Sequence, residues 1–259
     1  MRILMIGDVF GKKGRELFKE LTPRLKAERK IDFVVVNGEN SAGGKGIVRR
    51  IFDELCQAGA DVVTSGNHIW DNKEVMNFID DEPYLVRPAN YPPGTPGRGW
   101  CVYQLKSKRI AVVNMSGRAF MPPVDCPFQR IEDILYELKG RADIILVDFH
   151  AETTSEKMAL GWYLDGRVTA VVGTHTHVQT ADERILHKGT AFISDLGMTG
   201  PWDSVIGDGV ECIIRRFTTG MPVRFVAEET GPGVYSGVII DVNDKTNEAV
   251  AIERILVKQ

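Results

Sequence analysis

The chain has 259 residues, 43% of them hydrophobic and 26% charged, with a formal charge of −3 at neutral pH. That length suits one large or two small domains with a sizeable core, and the mildly acidic balance argues against a large nonspecific nucleic-acid footprint while leaving room for a local basic pocket. Four cysteines without a CxxC pair speak against a disulfide framework or a zinc ribbon and read as buried free thiols.

Only five apolar residues follow Arg2, and no later stretch approaches eighteen uncharged apolar residues. Neither a signal peptide nor a membrane span is expected, and the chain reads as a cytoplasmic protein. The first run, RILMIGD, is a predicted strand. Residues 15–29 then place Leu17, Phe18, Leu21 and Leu25 on one helical face. A second strand, DFVVVNGEN, precedes a helix over 47–58 with Ile47, Ile51, Leu55 and Ala58, closed by Gly59. DVVTSGNH is a third strand. Residues 83–100 hold five prolines and three glycines and predict an irregular surface excursion within one domain. RIAVVNMSG, a helix over 128–138, DIILVDFH and VTAVVGTHTH complete an alternation of buried strands and helices, the pattern of an α/β protein. In the C-terminal third, residues 181–195, 222–230 and 233–256 predict antiparallel hairpins, the last turning at NDKTNE. One domain, 1–259, is expected.

The strands end on a consistent set of side chains: Asp8, then Glu39 and Asn40, then Asn67 and His68, later His150, then His175 and His177. Ligands of open α/β sheets bind outside the carboxyl ends of strands, so these residues can converge on one site. An Asp or Asn after a strand is by itself usually a turn former. H-x-H is stronger, because a strand would point both rings to one side. Four of the five histidines fall at strand ends, and only His187 lies elsewhere. Carboxylates, amide oxygens and imidazoles without a thiolate suit Mn, Fe, Zn or Co. Even with His68 set aside, the seven remaining candidate ligands exceed the need of one tetrahedral ion and predict a two-metal site with a bridging carboxylate.

NGENSAGGKG, residues 37–46, invites comparison with a phosphate-binding loop, but that loop requires G-x-x-x-x-G-K-[ST]. Glu39 stands where its first glycine belongs and Gly46 replaces the hydroxyl after Lys45. The loop is expected to meet cations through Glu39 and Asn40, with Lys45 either solvated or near a substrate phosphate.

On GDVF, NGEN, SGNHIWD, VDFHAE and GTHTH, the whole chain resembles the calcineurin-like metallophosphoesterase superfamily, and especially its bacterial YmdB-type branch. Phe10 stands where the general pattern has histidine, Glu39 replaces its bridging aspartate, and Ile69 follows His68 where an acid is usual. These departures match the branch, with Asn40 supplying the ligand lost at Phe10. The resemblance implies four layers, two mixed β-sheets face to face flanked by α-helices. It implies that Asp8, Glu39, Asn40 and His177 hold one metal, that Glu39, Asn67, His150 and His175 hold the other, and that His68 is the catalytic proton donor. The branch is similar to oligomeric phosphodiesterases of cyclic nucleotides, 2′,3′-cyclic ones included, that often carry iron. The implied reaction is in-line attack on phosphorus by a hydroxide bridging two ions, either divalent or trivalent, Fe before Mn or Zn. Two alternatives stay open: a phosphomonoesterase or nuclease on the same metals, and a metal- and nucleotide-binding regulator of slow turnover. The sequence displays no basic, aromatic-studded stripe of the kind a dedicated nuclease uses.

Overall fold

In the computed structural model, which describes residues 1–259, side-chain alternation along the strands sorts the core into layers. Strand β1 (Arg2–Ile6) sends Ile3 and Met5 into one apolar cluster and Leu4 and Ile6 into another, as a period of two requires. Strand β3 (Phe33–Asn37) repeats this, Phe33 and Val35 against Val34 and Val36. Helices α1 (Gly11–Glu28) and α2 (Arg49–Gln57) cover the Leu4/Val34 side through Leu17, Phe18, Leu21, Ile51 and Leu55.

The first sheet continues from β1 and β3 through parallel β4 (Val62–Thr64) and β5 (Leu85–Val86). On the other side of β1 lies antiparallel β13 (Gly233–Val242), itself paired with β14 (Ala249–Lys258) and β12 (Met198–Pro201). β12 runs parallel to the two-residue β2 (Asp8–Val9). The second sheet has order β10-β11-β9-β8-β7-β6. Its parallel strands are β7 (Lys108–Ser116), β8 (Ile144–His150), β9 (Ala170–Thr174) and β11 (Ala191–Ile193). Its antiparallel edges are β6 (Trp100–Leu105) and β10 (Arg184–Ile185). The two sheets share the cluster holding Ile3, Met5, Phe33, Val112, Leu146 and Val172. Helices α3 (Pro127–Leu138) and α4 (Thr154–Leu164) pack Ile131, Ile134, Leu138, Leu160 and Leu164 on the far side of the second sheet. Four layers result, helices–sheet–sheet–helices, as the resemblance implies. No helix is long and apolar enough to cross a membrane.

Some local expectations change. α1 begins at Gly11, earlier than its apolar spacing shows, and carries Pro23 internally. α4 escapes the apolar pattern because its buried face includes Lys157 and Gly161. Lys157 is tolerated there by a 2.6 Å ion pair with the equally buried Asp195. α5 (Val210–Thr219) escapes it because Ile214 and Phe217 face outward. Residues 222–230 form no strand; only Ala227 bridges to Asp208, because alternation without an available sheet edge has nothing to pair with. The 83–100 segment is less superficial than expected. The buried Arg87 guanidinium donates to the carbonyls of Pro88, Thr95, Pro96 and Gly97, which ties the proline-rich loop into one ordered unit.

Candidate metal centre

The parallel strands of both sheets end on one side of the molecule, and the polar residues singled out in the sequence gather there. β2 supplies Asp8, the turn after β3 supplies Glu39 and Asn40, and the turn after β4 supplies Asn67 and His68. From the second sheet come His150 at the end of β8, and His175 and His177 beyond β9. Gly66 lets the third turn pass: a Cβ there would lie 2.3 Å from both Glu39 Oε2 and His150 Nε2. The H-x-H pair does not lie in a strand. β9 ends at Thr174, and His175 and His177 adopt positive φ of 99° and 66°. Non-glycine residues rarely adopt that region, and it is often found where a site over-determines the backbone. The two rings therefore turn to different neighbours instead of one side.

His150 Nε2 lies 3.0 Å from each of three atoms: Glu39 Oε1, Asn67 Oδ1 and His175 Nδ1. Glu39, His150 and His175 offer ligand atoms that all lie within 4.8 Å of one another. Asn40 Nδ2 meets Glu39 Oε1 at 3.2 Å and His177 Nε2 at 3.0 Å. Asp8 Oδ2 accepts from the His175 backbone N–H at 3.1 Å, whereas Asp8 Oδ1 is buried with no hydrogen-bond donor. His150 Nδ1 lies 3.9 Å from it.

Second contacts fix the protons on these rings. Thr174 Oγ1 donates its single proton to Asp148 Oδ1 at 2.7 Å, so it accepts from His150 Nδ1 at 2.9 Å. Asp148 is itself anchored by Thr64 and Asn37. His175 Nε2 lies 3.1 Å from Glu152 Oε2, and His177 Nδ1 lies 2.7 Å from the Ile206 carbonyl, an acceptor that demands N–H. Each imidazole thus has one nitrogen held as a donor outside the cluster and a lone pair directed into it, the arrangement that metal-binding histidines use. Lone pairs and carboxylate oxygens 3.0 Å apart repel unless a cation stands among them, so the donor set and the orphaned Asp8 oxygen fit a group of hard-to-borderline metal ions.

Protons alone relieve these contacts only in part. Burial favours neutral His150, but the Glu39 carboxylate outweighs it, helped by Asp8 and Asp148, and raises the ring's pKa. Burial also opposes ionised Glu39, and the His150 charge and hydrogen bond overcome it, leaving Glu39 below the usual carboxylate range. Asp8 is pushed up, chiefly by burial. His175 is pushed down to about 3, by burial first and the His150 charge second. One proton between Glu39 and His150 leaves the lone pairs of Asn67 and His175 facing the same nitrogen.

His68 stands apart from the cluster. Its backbone N–H donates to Glu39 Oε2 at 3.1 Å, while ring Nδ1 turns to Asp71 Oδ2 at 2.9 Å. That leaves Nε2 as the free end of a half-buried ring. Lys45 Nζ lies 3.9 Å from the same Asp71 oxygen on a largely exposed side chain, as a solvated loop lysine would. The sequence does not reveal the roles of Asp148, Thr174 and Glu152. Asp148 carries a usable signal, two residues before His150 and so on the same strand face; Thr174 and Glu152 carry none, since their roles depend on contacts made across elements.

A family model described as "YmdB-like protein" matches residues 4–255. The chain is 56% identical over 257 residues to a 2′,3′-cyclic-nucleotide 2′-phosphodiesterase of Bacillus subtilis, covering 99% of this chain and 97% of that one. It is similar to the crystal structure of a hypothetical protein from Thermus thermophilus, with a TM-score of 0.94, 43% identity and full coverage of both chains. A putative 5′-nucleotidase from Staphylococcus aureus matches at TM-score 0.61 and 15% identity, over 98% of this chain and 54% of that one, a likeness of fold alone.

Proposed function

Because the chain belongs to the YmdB-like family, we propose that it is a single-domain, metal-dependent phosphodiesterase that opens 2′,3′-cyclic nucleotides at the 2′ oxygen and leaves a 3′-phosphate. The substrate class is that of the Bacillus subtilis relative. The observation that carries the reading is the set of three imidazoles, each held from outside as a donor and each turning its other nitrogen into the cluster, His150 to Glu39, His175 to His150 and His177 to Asn40. On this reading Asp8, Glu39, Asn40 and His177 hold one ion, and Glu39, Asn67, His150 and His175 the other, with Glu39 shared. When bound, such ions neutralise charge on phosphoryl oxygens and make water nucleophilic near neutral pH. The neutral amides of Asn40 and Asn67 contribute oxygen without adding negative charge, so the centre stays attractive to a phosphodiester; Asn40 does so once its amide makes a half-turn. Thr174, Glu152 and the Ile206 carbonyl keep the three ligand rings in the tautomers that coordinate.

The remaining chemical problem is the leaving oxygen. A ribose alkoxide is a poor leaving group, and a positioned acid that protonates it accelerates departure. His68 is the group for this step: Asp71 engages Nδ1, so Nε2 is free to carry the proton to the 2′ oxygen. Iron as the resident metal, a homo-oligomeric state and a cytoplasmic location complete the reading.

The test is elemental analysis of protein purified without added metal, paired with hydrolysis of 2′,3′-cyclic, 3′,5′-cyclic and monoester substrates. About two transition-metal ions per chain are expected, with fastest turnover on the 2′,3′-cyclic diester. Protein free of transition metal that hydrolyses the diester undiminished by chelators would overturn the metal assignment. Preference for monoesters would replace it with a phosphatase.

A further inference from the structure

The 83–100 loop, β6 and α3 enclose a cleft of about 780 Å³, within the range of sites that take an organic ligand. Its charge is opposite to that of the chain as a whole. Four arginines line it, Arg87, Arg98, Arg130 and Arg141, against two aspartates, Asp125 and Asp133. Arg87 is committed to loop carbonyls, and Arg130 to Asp133 and Glu137 at 3.5 and 3.8 Å. Arg98 and Arg141 are exposed and take part in no ion pair or side-chain hydrogen bond. The Arg141 guanidinium lies 5.4 Å from the centre of the Trp100 ring, whose side chain is only partly buried. Unpaired guanidinium groups beside an accessible indole are the combination that holds a single-stranded polynucleotide, charge for the phosphates and a π-face for the bases.

The cleft is also joined to the candidate centre. Tyr91 lines it, and its ring lies 6.0 Å from that of Trp70, two residues beyond His68. On the proposed reaction His68 meets the leaving ribose oxygen, and the Trp70–Tyr91 pair links its turn to the cleft lined by Arg98, Trp100 and Arg141.

Resting on the proposed diester hydrolysis, we propose that the substrate is the 2′,3′-cyclic phosphate terminus of a single-stranded RNA, whose preceding nucleotides occupy the Arg98–Trp100–Arg141 cleft. Such termini arise when RNA is cut by internal attack of the 2′ hydroxyl on the adjacent phosphate, so a transesterifying ribonuclease reaction supplies this substrate. Water adds to phosphorus, the P–O2′ bond breaks, and the proton ends on O2′; no redox partner is needed.

Two measurements test this on the holoenzyme. The first compares kcat/KM for a 2′,3′-cyclic mononucleotide and for a hexaribonucleotide ending in the same cyclic phosphate. The oligonucleotide is expected to be preferred by roughly tenfold or more at low salt, with the preference shrinking as salt rises, since each phosphate contact released contributes to the salt slope. Arg98→Ala/Arg141→Ala should abolish the preference and leave the mononucleotide rate within about twofold, both side chains being exposed and bonded to none of the candidate ligands. Equal wild-type rates on the two substrates, or a double variant that keeps the preference, overturns the inference while the phosphodiesterase reading stands. The second measures fluorescence anisotropy of a labelled hexaribonucleotide 3′-phosphate, which needs no turnover. Binding by wild type that is lost in the double variant supports the cleft even if hydrolysis fails altogether. No binding, or binding of polyglutamate as tight as that of RNA, overturns it.

Discussion

At the scale of single residues, the candidate centre separates groups that would hold metal from groups that act around them. His68 contributes its backbone N–H to Glu39 and turns its ring toward Asp71, so removal of the ring should leave metal content unchanged. His68→Ala should slow hydrolysis of a cyclic nucleotide by about 10²–10⁴-fold, the usual contribution of a general acid. A nitrophenyl diester, whose phenolate leaves readily without a proton, should lose clearly less. Equal losses on both substrates, or loss of a metal ion, would make His68 a ligand or a positioning residue. Thr174 is the converse case. Thr174→Val preserves shape but removes the hydroxyl that receives the His150 Nδ1 proton and passes its own to Asp148. Outer partners of this kind typically contribute about 10–100-fold in metal affinity. The variant should bind metal more weakly by about that factor, measured by competition with a chelator, while its thermal unfolding at saturating metal stays near wild type. Asp8, Glu39, His150, His175 and His177 are legible as candidates because they end successive predicted strands together and histidine is otherwise scarce in the chain; an aspartate there alone would read as a turn former. Thr174 is not, because one threonine among many carries no mark of the contact it makes.

At the scale of elements, the turns after the strands decide the geometry. Gly66 lies directly against two of the candidate ligands, and Gly66→Ala would drive a Cβ against Glu39 Oε2 and His150 Nε2. The turn must then open at the candidate ligands themselves, so metal content and diesterase rate should fall together, with elemental analysis as the direct readout; a variant retaining full metal would show that the turn relaxes elsewhere. α4 presents a different constraint. Lys157 and Asp195 are each about 1% exposed, and Asp195 also accepts from the Thr176 backbone and hydroxyl, between the two histidines of the H-x-H turn. The ion pair thus fastens α4 to the turn that carries His175 and His177. Lys157→Met leaves a buried carboxylate without its cation, a change that typically costs about 3–5 kcal/mol. Chemical denaturation should register that loss; a change below about 1 kcal/mol would mean that the hydrogen bonds alone hold Asp195. The apolar pattern of the sequence reveals α1, α2 and α3, whose buried faces are apolar, and misses α4, where a lysine and a glycine occupy that face.

At the scale of the whole molecule, the candidate ligands come from both sheets, so metal and fold are coupled. Ions that bind only the folded chain stabilise it by RT ln(1 + [L]/Kd), about 2.7 kcal/mol at a hundredfold excess over Kd. Chelation should therefore lower the thermal midpoint by several degrees, and re-addition of Mn or Fe should restore it more fully than Mg; an unchanged midpoint would place the ions outside the inter-sheet cluster. The sequence by itself determined the α/β alternation, the parallel strands β1, β3, β4, β7, β8 and β9, and the residue types that end them, because buried strands leave short continuous apolar runs and functional groups accumulate where strands stop, whereas the short β2, β5 and β12 and the edge strand β6 leave too little pattern to read. It also carried the family resemblance. The tertiary structure alone decided which lone pairs face one another, since tautomers depend on partners far away along the chain, and it turned the H-x-H rings apart through two positive-φ residues. It also drew Arg98, Arg141 and Trp100 to one wall of a basic cleft in an acidic chain. A stripe assembled from a loop, an edge strand and the end of a helix has no period along the chain, so only folding brings it into being.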